Sequence, residues 1–173
     1  MAGVAKLFDG HILNKEKEEI DLNNEKYKGK VLGFYFSAHW CPPCRLFTPK
    51  LIDFYKKYAE EKKFEIIFLS SDNDQESFDE YYKEMPWLTL DFNEQDKKDE
   101  IENKFEISGI PKLILVDGDT GDVICTDARE QIQSRDKEGK NFPWKEKAKD
   151  KDEDENKDKD KDKEDEDKKC SVT

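Results

Sequence analysis

Three short apolar runs, separated by amphipathic stretches, dominate the pattern of hydrophobic and polar positions along this chain. Residues 31–36, 64–69 and 113–116 carry few polar side chains, which is typical of strands buried on both faces of a sheet. A shorter strand is predicted at 88–92. Residues 122–126 follow a turn rich in Asp and Gly, so we expect them to pair back on 113–116 as a hairpin.

Helical spacing of apolar residues marks the segments between these strands. Residues 45–62 place apolar side chains three or four positions apart on one face of a helix, and 77–85 and 97–105 repeat this spacing. The N-terminal segment is ambiguous, but 12–13 and 20–22 favour an edge hairpin. Strands that alternate with helices predict an α/β sandwich with a mixed central β-sheet and an N-terminal hairpin extension.

Composition divides the chain into a body and a tail. Of its 173 residues 43% are charged, and the 29 residues of 145–173 include 13 acidic and 10 basic side chains but only three apolar ones. Burial of three small apolar side chains cannot offset the entropy lost on ordering such a segment. We therefore predict one folded domain over 1–144 and a disordered charged tail over 145–173.

Charge and hydropathy exclude several classes of function. A net charge of −12 disfavours nucleic-acid binding, which needs clustered Lys and Arg. The sequence contains no run of about 18 apolar residues, so no membrane span is predicted. The first residues lack the basic-then-apolar order of a secretory signal. Four unevenly spaced Cys do not form a disulfide framework. We expect a reducing compartment, the cytoplasm first and the nucleus as a second candidate.

The candidate chemistry lies in the run Trp-Cys-Pro-Pro-Cys-Arg at 40–45, where a predicted strand passes into a predicted helix. Cys41 would lie at the helix N-terminus, where unpaired backbone N–H groups and the positive end of the dipole favour a thiolate. We therefore expect a lowered pKa at this thiol, which makes it a nucleophile. Cys44, one helical turn further on, could close a disulfide with Cys41 after a mixed disulfide has formed.

The neighbours of the two cysteines suit this interpretation. Pro42 and Pro43 fit the first helical turn, where a missing N–H costs little, and they stiffen the loop. Trp40 precedes the first cysteine, and Arg45 adds a nearby cation.

Two alternatives to redox chemistry stay open, namely half of a zinc site and a pair of unrelated structural cysteines. Zinc needs four ligands, and the chain offers no second Cys-x-x-Cys pair. His11 and His39 lie far apart in the sequence. We therefore predict no metal site and favour a redox pair.

Four segments together resemble the tryparedoxin and nucleoredoxin branch of the thioredoxin superfamily. They are 36–45, Met85-Pro86-Trp87-Leu88, Gly109-Ile110-Pro111 and Phe142-Pro143-Trp144. The resemblance implies a thioredoxin-like three-layer sandwich and a dithiol–disulfide oxidoreductase, with Cys41 as the attacking thiol and Cys44 as the resolving thiol. An alternative function is a redox-sensitive adaptor that binds a signalling partner with little turnover.

The resemblance also implies roles for residues outside the Cys-x-x-Cys run. It implies a cis bond at Ile110–Pro111 beside the disulfide, although a proline before a strand is also an ordinary strand start. The backbone of Ile110 would then pair with a bound substrate, and Trp40 would cover one side of the thiols. Arg129 falls where tryparedoxins carry an arginine near the substrate groove, where it could bind a carboxylate; the alternative is a surface arginine.

Cofactor and partners follow from the same resemblance. It implies no bound cofactor, with an external thiol or an NADPH-linked reductase system as electron donor. The partners would be disulfide-containing proteins, peroxiredoxin-type proteins, and a reductase or a glutathione-like dithiol, with the chain itself a monomer. Tyr35 stands where ordinary thioredoxins place a buried Asp, six residues before the nucleophile, so no residue is assigned to the proton relay.

Overall fold

The computed structural model describes residues 2–8 and 10–145, and its strands form a single sheet. The strands are β1 (Ile12–Leu13), β2 (Val31–Ser37), β3 (Phe64–Ser70), β4 (Leu88–Leu90), β5 (Lys112–Asp117) and β6 (Val123–Cys125). Their order across the sheet is β1-β4-β3-β2-β5-β6. The predicted tail, 145–173, lies outside the described residues apart from Lys145.

The helices cover both faces of this sheet. They are α1 (Ala2–Phe8), α2 (Pro42–Tyr58), α3 (Gln75–Tyr82), α4 (Gln95–Lys104) and α5 (Ala128–Glu130), with a 3-10 turn at Glu25–Tyr27 and a π-helical turn at Gln131–Arg135. The three helices predicted from apolar spacing are present, shifted by up to four residues at their ends. Neither α1 nor α5 was predicted. No helix among the described residues is both long and apolar enough to cross a membrane.

Strand pairing makes the sheet mixed, as predicted. β2 runs parallel to β3 over seven residue pairs, from Val31 opposite Phe64 to Ser37 opposite Ser70, and β3 runs parallel to β4. β5 is antiparallel to β2, and β6 forms the predicted hairpin with β5. Because β2 and β3 are parallel and in register, the loops that follow Ser37 and Ser70 leave the sheet side by side.

Alternating side chains of the central strands build two cores. In β2, Tyr35 faces α2 and α3, whereas Phe34 and Phe36 face α1 and α4. The strands β3 and β5 divide their side chains in the same way. The result is a three-layer sandwich, with the Cys-x-x-Cys segment following the carboxyl end of β2, one of the two central strands.

The predicted N-terminal hairpin is only partly formed. Ile12–Leu13 is an edge strand, but it pairs antiparallel with β4. The returning segment contributes one isolated bridge, Leu13 with Glu19, and a hydrogen bond from Ile20 N–H to Ile12 C=O. Residues 20–22 therefore form no strand of their own.

Candidate active site at the start of helix α2

Cys41 is the N-cap residue of α2, and its backbone is extended at φ −98° and ψ 110°. Its N–H donates to Ala38 C=O at 3.2 Å, and its C=O accepts the N–H of Arg45 at 3.1 Å. Pro42 and Pro43 fill the first helical positions, where their missing N–H groups leave no helical hydrogen bond unmade. The Cys41 side chain accepts no capping hydrogen bond and remains available for chemistry at the helix N-terminus.

Cys44 lies one turn further on and faces inward. Its side chain is fully buried, whereas Cys41 keeps 5% of its surface exposed, and both are free thiols. Burial, and to a smaller extent a hydrogen bond with Cys41, raise the pKa of Cys44 to about 12, while hydrogen bonds with Ser37 and the Ala38 backbone act against this rise. The two sulfurs are therefore in contact but differ in access.

Ile110 and Pro111 close one side of the pair. Ile110 is half-buried and packs against the small cluster formed by Ala38, Cys41 and Cys44. The Ile110–Pro111 peptide bond is cis, the geometry that the family resemblance implies, and Pro111 is buried directly before β5.

The loop before Cys41 is held by the loop that follows β3. The backbone N–H of His39 donates to Asp72 Oδ1 at 2.7 Å, and Ser70 Oγ donates to Asp72 Oδ2 at 2.7 Å. The indole of Trp40, which is 56% exposed, donates to Ser71 C=O at 3.0 Å. Sequence analysis assigned no role to Asp72, so its anchoring role was missed.

Behind Cys44 lies a chain of buried hydroxyl groups. Ser37 Oγ is 2.7 Å from the Tyr81 hydroxyl, which is 2.5 Å from Thr48 Oγ1. Thr48 Oγ1 is also 2.6 Å from the Tyr35 hydroxyl and donates to Cys44 C=O at 2.9 Å. Burial raises the pKa of both tyrosines, so they remain neutral hydroxyls at physiological pH. Helical spacing predicted only a buried face for Tyr81, and no sequence signal links it to Thr48.

The two candidate arginines differ in their surroundings. Arg45 is exposed on the first turn of α2, next to Cys44 in sequence. Arg129 lies in α5, where its guanidinium is 3.5 Å from Glu130 Oε2 and 3.5 Å from Gln133 Oε1. The structure thus gives Arg129 local partners in and just after its own helix.

Metal-ligating side chains are scattered over the fold. Within residues 2–8 and 10–145, no group of three or more His, Cys, Asp and Glu side chains is arranged to hold a metal ion. His11 lies 3.6 Å from Glu94, and the His39 ring packs 5.4 Å from the Tyr81 ring. Neither histidine completes a ligand set with the cysteine pair in the described part of the chain.

A dithiol at a helix N-terminus, after a central strand of a mixed three-layer sandwich, defines the class of thiol–disulfide oxidoreductases. The family model described as thioredoxin-like matches residues 29–123. The chain belongs to this thioredoxin-like family, whose tryparedoxin and nucleoredoxin members are dithiol oxidoreductases.

Individual relatives place the chain within the family. It is 42% identical over 146 residues to the tryparedoxin of Trypanosoma brucei brucei, an alignment that covers 83% of this chain and 99% of that protein. It is 51% identical over 105 residues to the probable nucleoredoxin 1 of Arabidopsis thaliana, which covers 60% of this chain but only 18% of that protein.

A solved structure is similar over the same region. The structure of tryparedoxin II complexed with glutathionylspermidine has a TM-score of 0.79 and 42% identity, and the match covers 83% of this chain and 99% of that chain. This similarity agrees with the three-layer fold predicted from the sequence.

Proposed function

We propose that this chain reduces disulfide bonds, with Cys41 as the attacking thiol and Cys44 as the resolving thiol. The observation that carries the proposal is the asymmetry between two hydrogen-bonded sulfurs. Cys41 reaches the surface at the N-terminus of α2, whereas Cys44 is fully buried and has a raised pKa. A substrate disulfide can therefore be attacked only by the first sulfur.

The reaction then follows in two exchanges. The Cys41 thiolate attacks one sulfur of the substrate, forming a mixed disulfide and releasing the other substrate sulfur as a thiol. Cys44 next attacks the Cys41 sulfur, so that a Cys41–Cys44 disulfide forms and the second substrate thiol leaves with a proton. The substrate gains two electrons, the dithiol loses them, and an external reductant returns the protein to its starting state.

Residues around the pair support substrate binding. Ile110 packs against the cluster that contains both cysteines, and we assign its backbone to pairing with an extended substrate segment. Trp40 presents an exposed indole next to Cys41 in sequence, so we assign it to one wall of the substrate site. For Arg129 we retain the role of binding a substrate carboxylate, in competition with Glu130.

We propose both protein and low-molecular-weight disulfides as substrates. The tryparedoxin II solved with glutathionylspermidine supports a glutathione-like dithiol as one exchange partner. We propose an external thiol or an NADPH-linked reductase as the electron source, and proteins of the peroxiredoxin type as acceptors. We place this monomeric activity in the cytoplasm, with the nucleus as a second candidate.

Reduction of insulin disulfides with dithiothreitol tests the proposal. The wild-type chain should accelerate the reaction, and Cys41→Ser should abolish the acceleration. Cys44→Ser should instead accumulate mixed disulfides with the substrate, which mass spectrometry detects. Equal rates for the wild type and Cys41→Ser would refute the proposed function.

A redox-sensitive adaptor is the second candidate, favoured by apolar surface around the site. Trp40 is 56% exposed and Leu46, on the first turns of α2, is 73% exposed, so a protein partner would bury apolar area here. Pull-downs with the wild type and with the Cys41→Ser/Cys44→Ser double variant separate the two functions. Partners retained by the double variant, together with negligible insulin reduction by the wild type, would favour the adaptor.

A further inference from the structure

The hydroxyl chain behind Cys44 has a direction that can be deduced by counting hydrogens. A hydroxyl group donates one hydrogen bond, and the hydrogen of Thr48 is committed to Cys44 C=O at 2.9 Å. Toward Tyr35 and Tyr81, Thr48 must therefore accept. Tyr81 then donates to Thr48, and Ser37 donates to Tyr81. In this arrangement the Ser37 hydrogen points away from the Cys44 sulfur.

Ionisation of Cys44 reverses part of this chain. Cys44 has no exposed surface, so its thiolate needs a hydrogen-bond donor from the protein. Hydrogen bonds with the Ser37 side chain and with the Ala38 backbone favour the ionised form of Cys44, and of these two groups only the Ser37 hydroxyl can rotate. When the Ser37 hydroxyl turns toward sulfur, its oxygen can accept the Tyr81 hydrogen at 2.7 Å. The Thr48 hydroxyl then turns from Cys44 C=O to donate to Tyr81 at 2.5 Å, so the three hydroxyls rotate together.

We propose that the Ser37 hydroxyl, oriented by Tyr81, donates the hydrogen bond that stabilises the Cys44 thiolate while it attacks Cys41. This inference rests on the proposed function and concerns only its second exchange. In that step the Cys44–Cys41 S–S bond forms, the bond between Cys41 and the substrate sulfur breaks, and the proton lost by Cys44 ends on the departing substrate thiolate. Ser37 touches a reacting atom, and Tyr81 is a positioning residue.

Tyr82 provides a matched control for Tyr81. It is the next residue of α3 and is also buried, but its hydroxyl donates to Trp87 C=O, on a part of the core away from Cys44. Loss of the Tyr82 hydroxyl therefore removes a buried hydrogen bond without touching the chain that ends at Ser37.

Single-turnover reaction with dithiobis(nitrobenzoate) separates the two exchanges. The reduced full-length chain, carrying Cys170→Ser in every variant, is mixed with one equivalent of the reagent in a stopped-flow instrument. The first release of thionitrobenzoate reports attack by Cys41, and the second reports attack by Cys44. Cys44→Ser, which keeps only the first release, identifies the phases.

We expect Tyr81→Phe and Ser37→Ala to slow the second phase by about tenfold or more, the size of effect produced by losing a hydrogen bond to a charged group. The first phase should be unchanged, and Tyr82→Phe should leave both phases at wild-type rates. Because Tyr81 acts through Ser37, the double variant should be little slower than Ser37→Ala alone.

Dependence on pH distinguishes orientation from loss of structure. In the described part of the chain, the ionisable side chains that interact with Cys44 are Cys41 and Tyr81. Once Cys41 is in the mixed disulfide, the rise of the second-phase rate with pH reports Cys44. This rise should move to higher pH in Tyr81→Phe.

Several outcomes would overturn the inference. Second phases at wild-type rates in Tyr81→Phe and Ser37→Ala would remove the hydrogen bond from the mechanism. Equal slowing of both phases, or a slower second phase in Tyr82→Phe as well, would show a general structural effect instead. Absence of a second phase in the wild type would contradict the proposed function itself, which separates the two failures.

Discussion

Selective alkylation of the two active-site thiols tests the asymmetry on which the proposed mechanism depends. With a pKa of about 12, Cys44 is ionised in about one molecule in 10⁵ at pH 7, against a few per cent for an ordinary thiol. Since the thiolate is the reactive species, the native Cys44 thiol should react with iodoacetamide about a thousandfold more slowly than in the unfolded chain.

This measurement is made in the Cys41→Ser variant, because Cys44 is then the remaining cysteine of the active-site pair. That substitution removes the hydrogen bond from Cys41 but leaves burial, which is the larger cause of the raised pKa. Alkylation of Cys44 is followed by mass spectrometry of its peptide, with the same variant in urea as the reference. Cys170→Ser in all samples removes a competing thiol.

The pH dependence then separates low ionisation from poor access. Because burial keeps the pKa of Cys44 well above its ordinary value in this variant too, the rate should rise about tenfold per pH unit from pH 7 to pH 10 without a plateau, whereas an ordinary thiol levels off above its pKa near 8.5. Native Cys44 that reacts within a factor of ten of the unfolded reference, or levels off below pH 9, would refute the reasoning.

Three further predictions concern stability, measured as urea unfolding. Burial raises the pKa of Glu65, so the contribution of Glu65 to the free energy of unfolding is greatest below the unfolded pKa and is lost as pH rises through the folded pKa. Glu65→Gln should therefore reduce this loss of stability and raise the urea midpoint at pH 8 but not at pH 4. Gly139 has φ +66°, and a Cβ added there would lie 2.9 Å from the Phe54 ring, so Gly139→Ala should lower the free energy of unfolding by about 3 kcal/mol. Gly29 has φ +75° but faces open space, so Gly29→Ala should lower it by only about 1 kcal/mol. Equal losses of stability in the two variants would contradict the clash with Phe54. Asp74→Ala should lower the urea midpoint by uncapping α3, and Asp74→Asn, which keeps an oxygen that can cap the helix, should lower it much less.

Much of the fold could be predicted because the central strands are apolar on both faces. The runs at 31–36, 64–69 and 113–116 correspond to β2, β3 and β5, since few other environments accept such sequences. α1 could not be predicted, because seven residues give too few turns to show a periodic face. The partner of β1 was also hidden, since two residues carry no register information.

The candidate site was also predictable only in part. The cysteine pair is local in sequence, so its place at the strand-to-helix junction followed from a single motif. The contacts around it are long-range: Asp72 holds the backbone of His39, and Tyr81 meets Ser37 across 44 positions. Such polar contacts depend on the parallel register of β2 and β3, which composition and periodicity do not reveal.

The small exposed area of Cys41 has a consequence for which disulfides this oxidoreductase can attack. Only 5% of that side chain is exposed, so a disulfide lying flat on a rigid surface cannot bring its sulfur into line for attack. Under the proposed function, a protein substrate must present a disulfide that projects from its surface, as at a chain end or on a mobile loop. One enzyme could then reduce projecting disulfides in many unrelated proteins and leave disulfides in well-packed cores intact.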